Sequence, residues 1–119
     1  MTFARLTLGQ RGEVHAVEFL KAKGYTLLET NYRTKLGEID CIFKDGDELV
    51  FVEVKTRSSR AFGDPLEAVN QRKWRQITRV AELYLRTVPA ETPLRFDVIG
   101  IIDGKPPQID YIKNAFEGF

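Results

Sequence analysis

The run Glu48-Leu49-Val50-Phe51-Val52-Glu53-Val54-Lys55 constrains this chain more than any other, because its β-branched and aromatic residues and its period of two read as a strand. The alternation sends Val50, Val52 and Val54 to one face and Leu49, Phe51, Glu53 and Lys55 to the other. Glu53 and Lys55 are therefore neighbours. Upstream, Glu38 to Lys44 reads as a second strand, and Asp45-Gly46 between the two is a hairpin signal, since glycine accepts φ > 0. The hairpin sets Asp40 on a strand paired with that of Glu53.

Two carboxylates with a lysine two residues past the second have a definite chemical use. Carboxylates are hard oxygen ligands for Mg²⁺, and an ion held by one or two of them keeps waters that a phosphate can replace. A lysine beside them can orient or help deprotonate an attacking water, or offset the charge growing on a phosphoryl group. The plainer reading is an acid pairing with lysine on a solvated sheet face.

Composition narrows the field. A chain of 119 residues, 43% hydrophobic and 29% charged, fits one soluble domain, residues 1–119. A single Cys excludes an internal disulfide, and one Cys with one His cannot close a zinc site, so any metal must be held by oxygen. No apolar run approaches the ~20 residues of a membrane span, and MTFARLTLGQ lacks the apolar core of a signal peptide. We expect a cytoplasmic protein without membrane contact.

The net charge of +1 is uninformative, but its distribution is not. From Lys55 to Arg86 eight basic residues face three acidic ones, so this segment is locally +5. A polyanion lying across the end of the hairpin would meet Arg57, Arg60, Arg72, Lys73 and Arg75, which are the expected phosphate contacts. The alternative is a solvated helix face.

In chain order, Leu8 to Lys23 reads as a helix stopped by Gly24. Glu13 falls within its apolar arc of Ala16, Val17 and Leu20, where an unpaired carboxylate is costly, so it should have a partner or a metal. Alternatively Glu13 only favours the helix N-terminus. His15 points away from the arc and is expected to face solvent. Tyr25 to Arg33 reads as a first strand, completing an antiparallel meander, with Cys41 as a packing thiol. Asp64-Pro65-Leu66-Glu67 marks a helix start and Asn70 a second cap, leaving open one helix or a turn followed by a longer helix to about Thr87. Trp74 lies on the apolar stripe of that helix. Leu94 to Ile102 is an apolar strand reached through a helix, hence parallel to the Glu53 strand, and Asp97 within it is expected to be an ordinary strand polar residue. Ile109 to Ile112 reads as a short edge strand.

With Glu13, Asp40, Glu53 and Lys55 in view, the chain resembles, over nearly its whole length, the YraN-type bacterial family, which looks like a member of the PD-(D/E)XK nuclease-like superfamily that includes archaeal Holliday junction resolvases. The matching motifs are Gly12-Glu13, Asn31-Tyr32-Arg33, Gly37-Glu38-Ile39-Asp40, Phe51-Val52-Glu53-Val54-Lys55-Thr56-Arg57, Pro65-Leu66-Glu67-Ala68-Val69 with Lys73, and Arg95-Phe96-Asp97-Val98. Ile39 departs from the superfamily's Pro. The resemblance implies that Asp40 and Glu53 hold the metal, that Lys55 serves the attacking water, and that Glu13 takes a second metal or a supporting position.

The expected architecture is α/β, a restriction-endonuclease-like central mixed sheet flanked by helices, with Glu13, Asp40, Glu53 and Lys55 converging. The expected function is a Mg²⁺- or Mn²⁺-dependent DNA endonuclease acting on branched or structured DNA. A non-catalytic nucleic-acid-binding or protein-interaction module with the same fold is the alternative. Oligomeric state is not written in the residues, and a homodimer stays open.

Overall fold

Thr7 opens the first helix, α1 (Leu8–Ala22), with a reciprocal cap: its hydroxyl accepts from the Gln10 amide at 3.2 Å, and the Gln10 side chain accepts from the Thr7 amide at 3.0 Å. The computed structural model describes residues 2–116, without the side chains of Ala4, Phe62, Glu67 and Ala68. The side chain of Glu67, expected near a helix start, thus lies outside the described residues. After α1 the chain forms the antiparallel strands β1 (Thr26–Thr34), β2 (Gly37–Asp45) and β3 (Glu48–Arg57), then α2 (Gln71–Leu85), then β4 (Leu94–Ile102) and β5 (Gln108–Phe116). The sheet order is β1-β2-β3-β4-β5, with β4 parallel to β3 and β5 antiparallel at the edge. This is the mixed α/β sheet expected, consistent with a restriction-endonuclease-like fold.

The alternation of β3 divides the core in two. Val50, Val52 and Val54 pack with Ala16 and Leu20 of α1, while Leu49 and Phe51 pack with Trp74, Ile77, Val80 and Ala81 of α2. Trp74 stacks on Phe116 at 4.8 Å between centroids, so it is a core residue. Each such fully buried side chain contributes about 1.5–3 kcal/mol. Gly12 sets how closely α1 approaches the sheet, since a Cβ there would collide with the Thr56 side chain. Glu13 follows it in sequence, so the close approach also fixes where Glu13 stands.

Between Asp64 and α2 the chain takes the two-piece course. Asp64 accepts from the Leu66 amide at 3.0 Å to cap a short 3₁₀ turn, Pro65–Ala68, and Asn70 accepts from the Lys73 amide at 2.9 Å to cap α2.

Three expectations need correction. Strand β5 runs nine residues instead of ending at Ile112. A register shift opposite Phe96 and Val98, with Asn114 at φ +53, lets it continue past Lys113. Asp97 is no ordinary strand residue: it is fully buried, accepting from Arg95 Nε at 3.1 Å, from the Asn114 amide at 2.8 Å and from the Tyr111 hydroxyl. His15 does not face solvent, because its ring is half-buried edge-on against Phe3 at 5.2 Å. The strand of Asp40 does pair with that of Glu53 as expected, although Asp40 itself lies beyond the ladder, whose paired residues run from Asp45–Glu48 to Cys41–Val52.

Candidate metal and nucleic-acid site

Asp40 is placed by a break in the pleat. Ile39 and Ile42, three positions apart, both join the α2 side of the core, which strict alternation forbids. Where the ladder stops, the Asp40 carboxylate replaces a strand carbonyl and accepts the Val54 amide at 2.7 Å. Asp40 therefore stands where β2 and β3 part, fixed to β3 by its own side chain.

Glu53 follows from the parity of β3. It shares the α2 face with Phe51 and is 3% exposed. Its Oε1 lies 3.6 Å from Lys55 Nζ and 3.9 Å from Lys73 Nζ, whereas its buried Oε2 has no hydrogen-bond partner. Burial foremost, then the charge of Asp40 and a hydrogen bond with it, push the Glu53 carboxyl up to about 8, against the opposing pull of Lys73 and Lys55. A hydrogen bond between the two carboxyls exists only while one of them is protonated. When both are ionised, the pair lacks positive charge on the Oε2 side.

Glu13 approaches Asp40 from the α1 side and forms no three-carboxylate group with Asp40 and Glu53. The expected four-residue convergence is thus met by Asp40, Glu53 and Lys55 and not by Glu13. Its carboxylate accepts from Asn31 Nδ2 at 3.4 Å, and burial first, then Asp40, raise its pKa. Asn31, at φ +49, stands between the Thr30–Cys41 and Tyr32–Ile39 pairs, beside Asp40. The structure thus brings Asp40, Glu53 and Lys55 together with Lys73, and sets Glu13 beside Asp40. Among the described residues, no three side chains of His, Cys, Asp or Glu form one metal-binding group. Cys41 is buried in the α1-side core, and burial pushes its thiol upward, so it stays a packing residue.

The donor set suits a hard cation. Asp40 and Glu53 offer only oxygen, Oε2 is unpartnered, and Mg²⁺ needs no more than one or two carboxylates when phosphate and water complete its shell.

Beside Glu53 runs a groove of about 720 Å³, lined by Lys55, Arg72, Lys73, Arg75 and Arg79 with Leu36, Asn70 and Gln76. Arg72, Lys73 and Arg75 were expected from charge, and Arg79 was read beside them as reaching the surface or the site; Gln76 was not singled out, although it follows from continuing the face of Arg72 by one turn. Arg57 and Arg60 do not line this groove. Arg57 donates to the Thr56 carbonyl at 3.0 Å, and Arg60 pairs with Asp110 at 3.0 Å. A larger cavity of about 930 Å³, between Phe3, Arg11, His15 and Asp103–Pro107, shares no residue with the site, and its Arg11 is paired with Asp103 at 2.8 Å.

Comparison with known proteins places the sequence among relatives. The sequence profile of the Uncharacterised protein family UPF0102 matches residues 12–101, which include Glu13, Asp40, Glu53, Lys55 and all of α2. The chain is similar to a UPF0102 protein of Thermodesulfovibrio yellowstonii, 47% identical over 113 residues covering 95% of this chain and 98% of that protein. One from Alkaliphilus metalliredigens is 50% identical over 111 residues, covering 92% and 97%. Another, from Dictyoglomus thermophilum, is 43% identical over 113 residues, covering 92% and 96%.

Proposed function

The chain belongs to the Uncharacterised protein family UPF0102, and from that premise we propose that it is a Mg²⁺- or Mn²⁺-dependent endonuclease hydrolysing phosphodiester bonds in branched or otherwise structured DNA. The observation that carries this reading is the buried Glu53 carboxylate, with two ammonium groups on Oε1 and nothing on Oε2, beside a second carboxylate. Asp40 and Glu53 would hold the cation, with Glu13 in a supporting or second-ion position. Bound there, the ion would lend positive charge to a scissile phosphate and acidify a water.

The residues themselves supply the rest. Lys55, held at 3.6 Å from Glu53, presents its ammonium to the water and to the phosphoryl oxygens as negative charge grows on them. As water attacks phosphorus, one P–O ester bond breaks and the leaving oxygen takes up a proton. Lys73 offers a second ammonium on the groove side, and Arg72, Arg75 and Arg79 grip the backbone without reading sequence.

A non-catalytic DNA-binding module is the second reading, favoured by the absence of a three-carboxylate group among the described residues. Calorimetric titration with Mn²⁺, followed by cleavage assays on linear, nicked, flapped and four-way DNAs, separates the two. Metal binding that disappears in Asp40→Asn, together with metal-dependent cutting, is the expected result; DNA binding without either supports the module.

A further inference from the structure

One apolar residue shares the cationic groove. Leu36, in the turn between β1 and β2, is 48% exposed, more than Phe3, Leu28 or Ile112. A single exposed leucine is ordinary on a protein surface. Its position and the way it is held are not.

Leu36 lines the same groove as Lys55, Lys73, Arg72 and Arg75. Its turn is braced from two sides. The Thr34 hydroxyl donates to the Gly37 carbonyl at 3.1 Å and accepts from the Leu36 amide at 3.1 Å, while Gln76 of α2 donates to the Leu36 carbonyl at 3.2 Å. Gly37, at φ +141, leaves room for Gln76, whose side chain a Cβ would strike. These bonds fix the backbone of the turn, so covering the leucine requires no ordering of the loop and costs only the rotamer freedom of its side chain.

We propose that Leu36 is an apolar wedge that selects DNA with an interrupted base stack, an inference that rests on reading the groove as a DNA-binding surface. The physical reason is a difference between two duplex surfaces. Continuous duplex presents the groove with sugar and phosphate, which satisfy the cations and offer a leucine little. At a flap, nick or branch the terminal base faces are open, and covering one with Leu36 removes two apolar surfaces from water, as wedging side chains do in proteins that kink DNA. Lys55 lines the groove with Leu36, so the wedge would seat the interruption beside the candidate site.

Binding, rather than cleavage, tests the wedge. Anisotropy titrations of the full chain in EDTA would compare a flapped duplex, carrying 2-aminopurine at the branch, with a continuous duplex of the same sequence. The unmodified chain should prefer the flap and raise the 2-aminopurine fluorescence. Leu36→Ala should lose about tenfold on the flap, the equivalent of leaving one leucine uncovered, with the continuous duplex unaffected. Leu36→Met should restore the preference, and Arg75→Ala should weaken both DNAs alike. Thermal melts verify that each exposed-site variant is folded. Equal losses on both DNAs, or a preference that survives Leu36→Ala, overturn the wedge while leaving the endonuclease reading standing. Failure to bind either DNA removes the groove reading and the wedge with it.

Discussion

Two buried charges sit on adjacent central strands, and they are treated in opposite ways. Arg95 on β4 is saturated: Nε donates to Asp97 at 3.1 and 3.2 Å, Nη1 to Glu48 at 2.6 Å and Asp45 at 2.9 Å, and Nη2 to the Tyr25 and Tyr111 hydroxyls at 3.0 and 3.5 Å. Glu53 on β3 is left half-finished, with one oxygen facing ammonium groups and the other facing no donor. A closed network of this kind stabilises and has nothing left to offer a ligand. An open one is destabilising alone and becomes favourable when something cationic completes it. The contrast separates structure from candidate chemistry without reference to any family.

The sharpest way to break it is through Lys55. If that ammonium acts only as charge develops, Lys55→Ala should lower cleavage roughly 10² to 10⁴-fold while Mn²⁺ and DNA affinities stay nearly intact. Asp40→Asn, which keeps an acceptor for the Val54 amide, should lose metal binding and activity together. Cutting that persists unchanged in both variants would reduce Glu53 and Lys55 to a structural ion pair.

The closed network should respond in stability instead. Arg95→Met removes the cationic partner of a fully buried Asp97 and should cost about 3–5 kcal/mol, read by urea denaturation, whereas Lys55→Ala should unfold within about 1 kcal/mol of the unmodified chain. A mild Arg95→Met would mean that its network is no more complete than that of Glu53.

Metal-free stability should then report the open site by its pH dependence. The Glu53 carboxyl titrates higher in the folded chain, about 8, than its ordinary 4.5, so the folded state holds the extra proton across that window. Its contribution is fully present below about 4.5 and is lost as pH rises towards 8. Melting temperatures in EDTA should therefore fall over this range, Glu53→Gln should flatten the fall, and Mg²⁺ should flatten it too. A rising curve would contradict the burial of an incomplete charge.

The smallest effect concerns the groove. Arg72→Ala and Arg75→Ala should each weaken DNA binding across sequences and reduce the salt slope by about one, while Arg60→Ala, already neutralised by Asp110 at 3.0 Å, should change the slope less. Identical slopes for all three would erase the boundary drawn around the groove.

How much of this was legible depended on whether a residue obeyed the period of its own element. Val50, Val52 and Val54 against Leu49 and Phe51 were readable because β3 keeps its alternation throughout, and Glu53 and Lys55 inherited that certainty. The same pattern made α2 and the parallel β4 readable, and the motifs pointed to the family that the profile matches. Asp40 was readable as an acid near the hairpin but not as a ligand of the Val54 amide, because the pleat breaks between Ile39 and Ile42. Asp97 was misread because it was taken alone; Arg95 and Asp97, two apart in an apolar strand, share a face and could have been paired. Lys73 was read as a phosphate contact, and only the docking of α2 on the sheet brings it within 3.9 Å of Glu53. For Glu13 the helical wheel gave a direction, and the bare Gly12 supplied the proximity.

The Val54 amide gives the molecule a built-in probe. In an ordinary ladder a backbone proton meets another backbone carbonyl, whose charge never changes. This one meets a carboxylate at 2.7 Å, so anything that draws electron density from Asp40 weakens that bond and moves the nitrogen and proton frequencies of Val54 in a magnetic resonance spectrum. In an isotope-labelled chain titrated with Mg²⁺, that one backbone resonance would report when a cation reaches Asp40, with no substrate present.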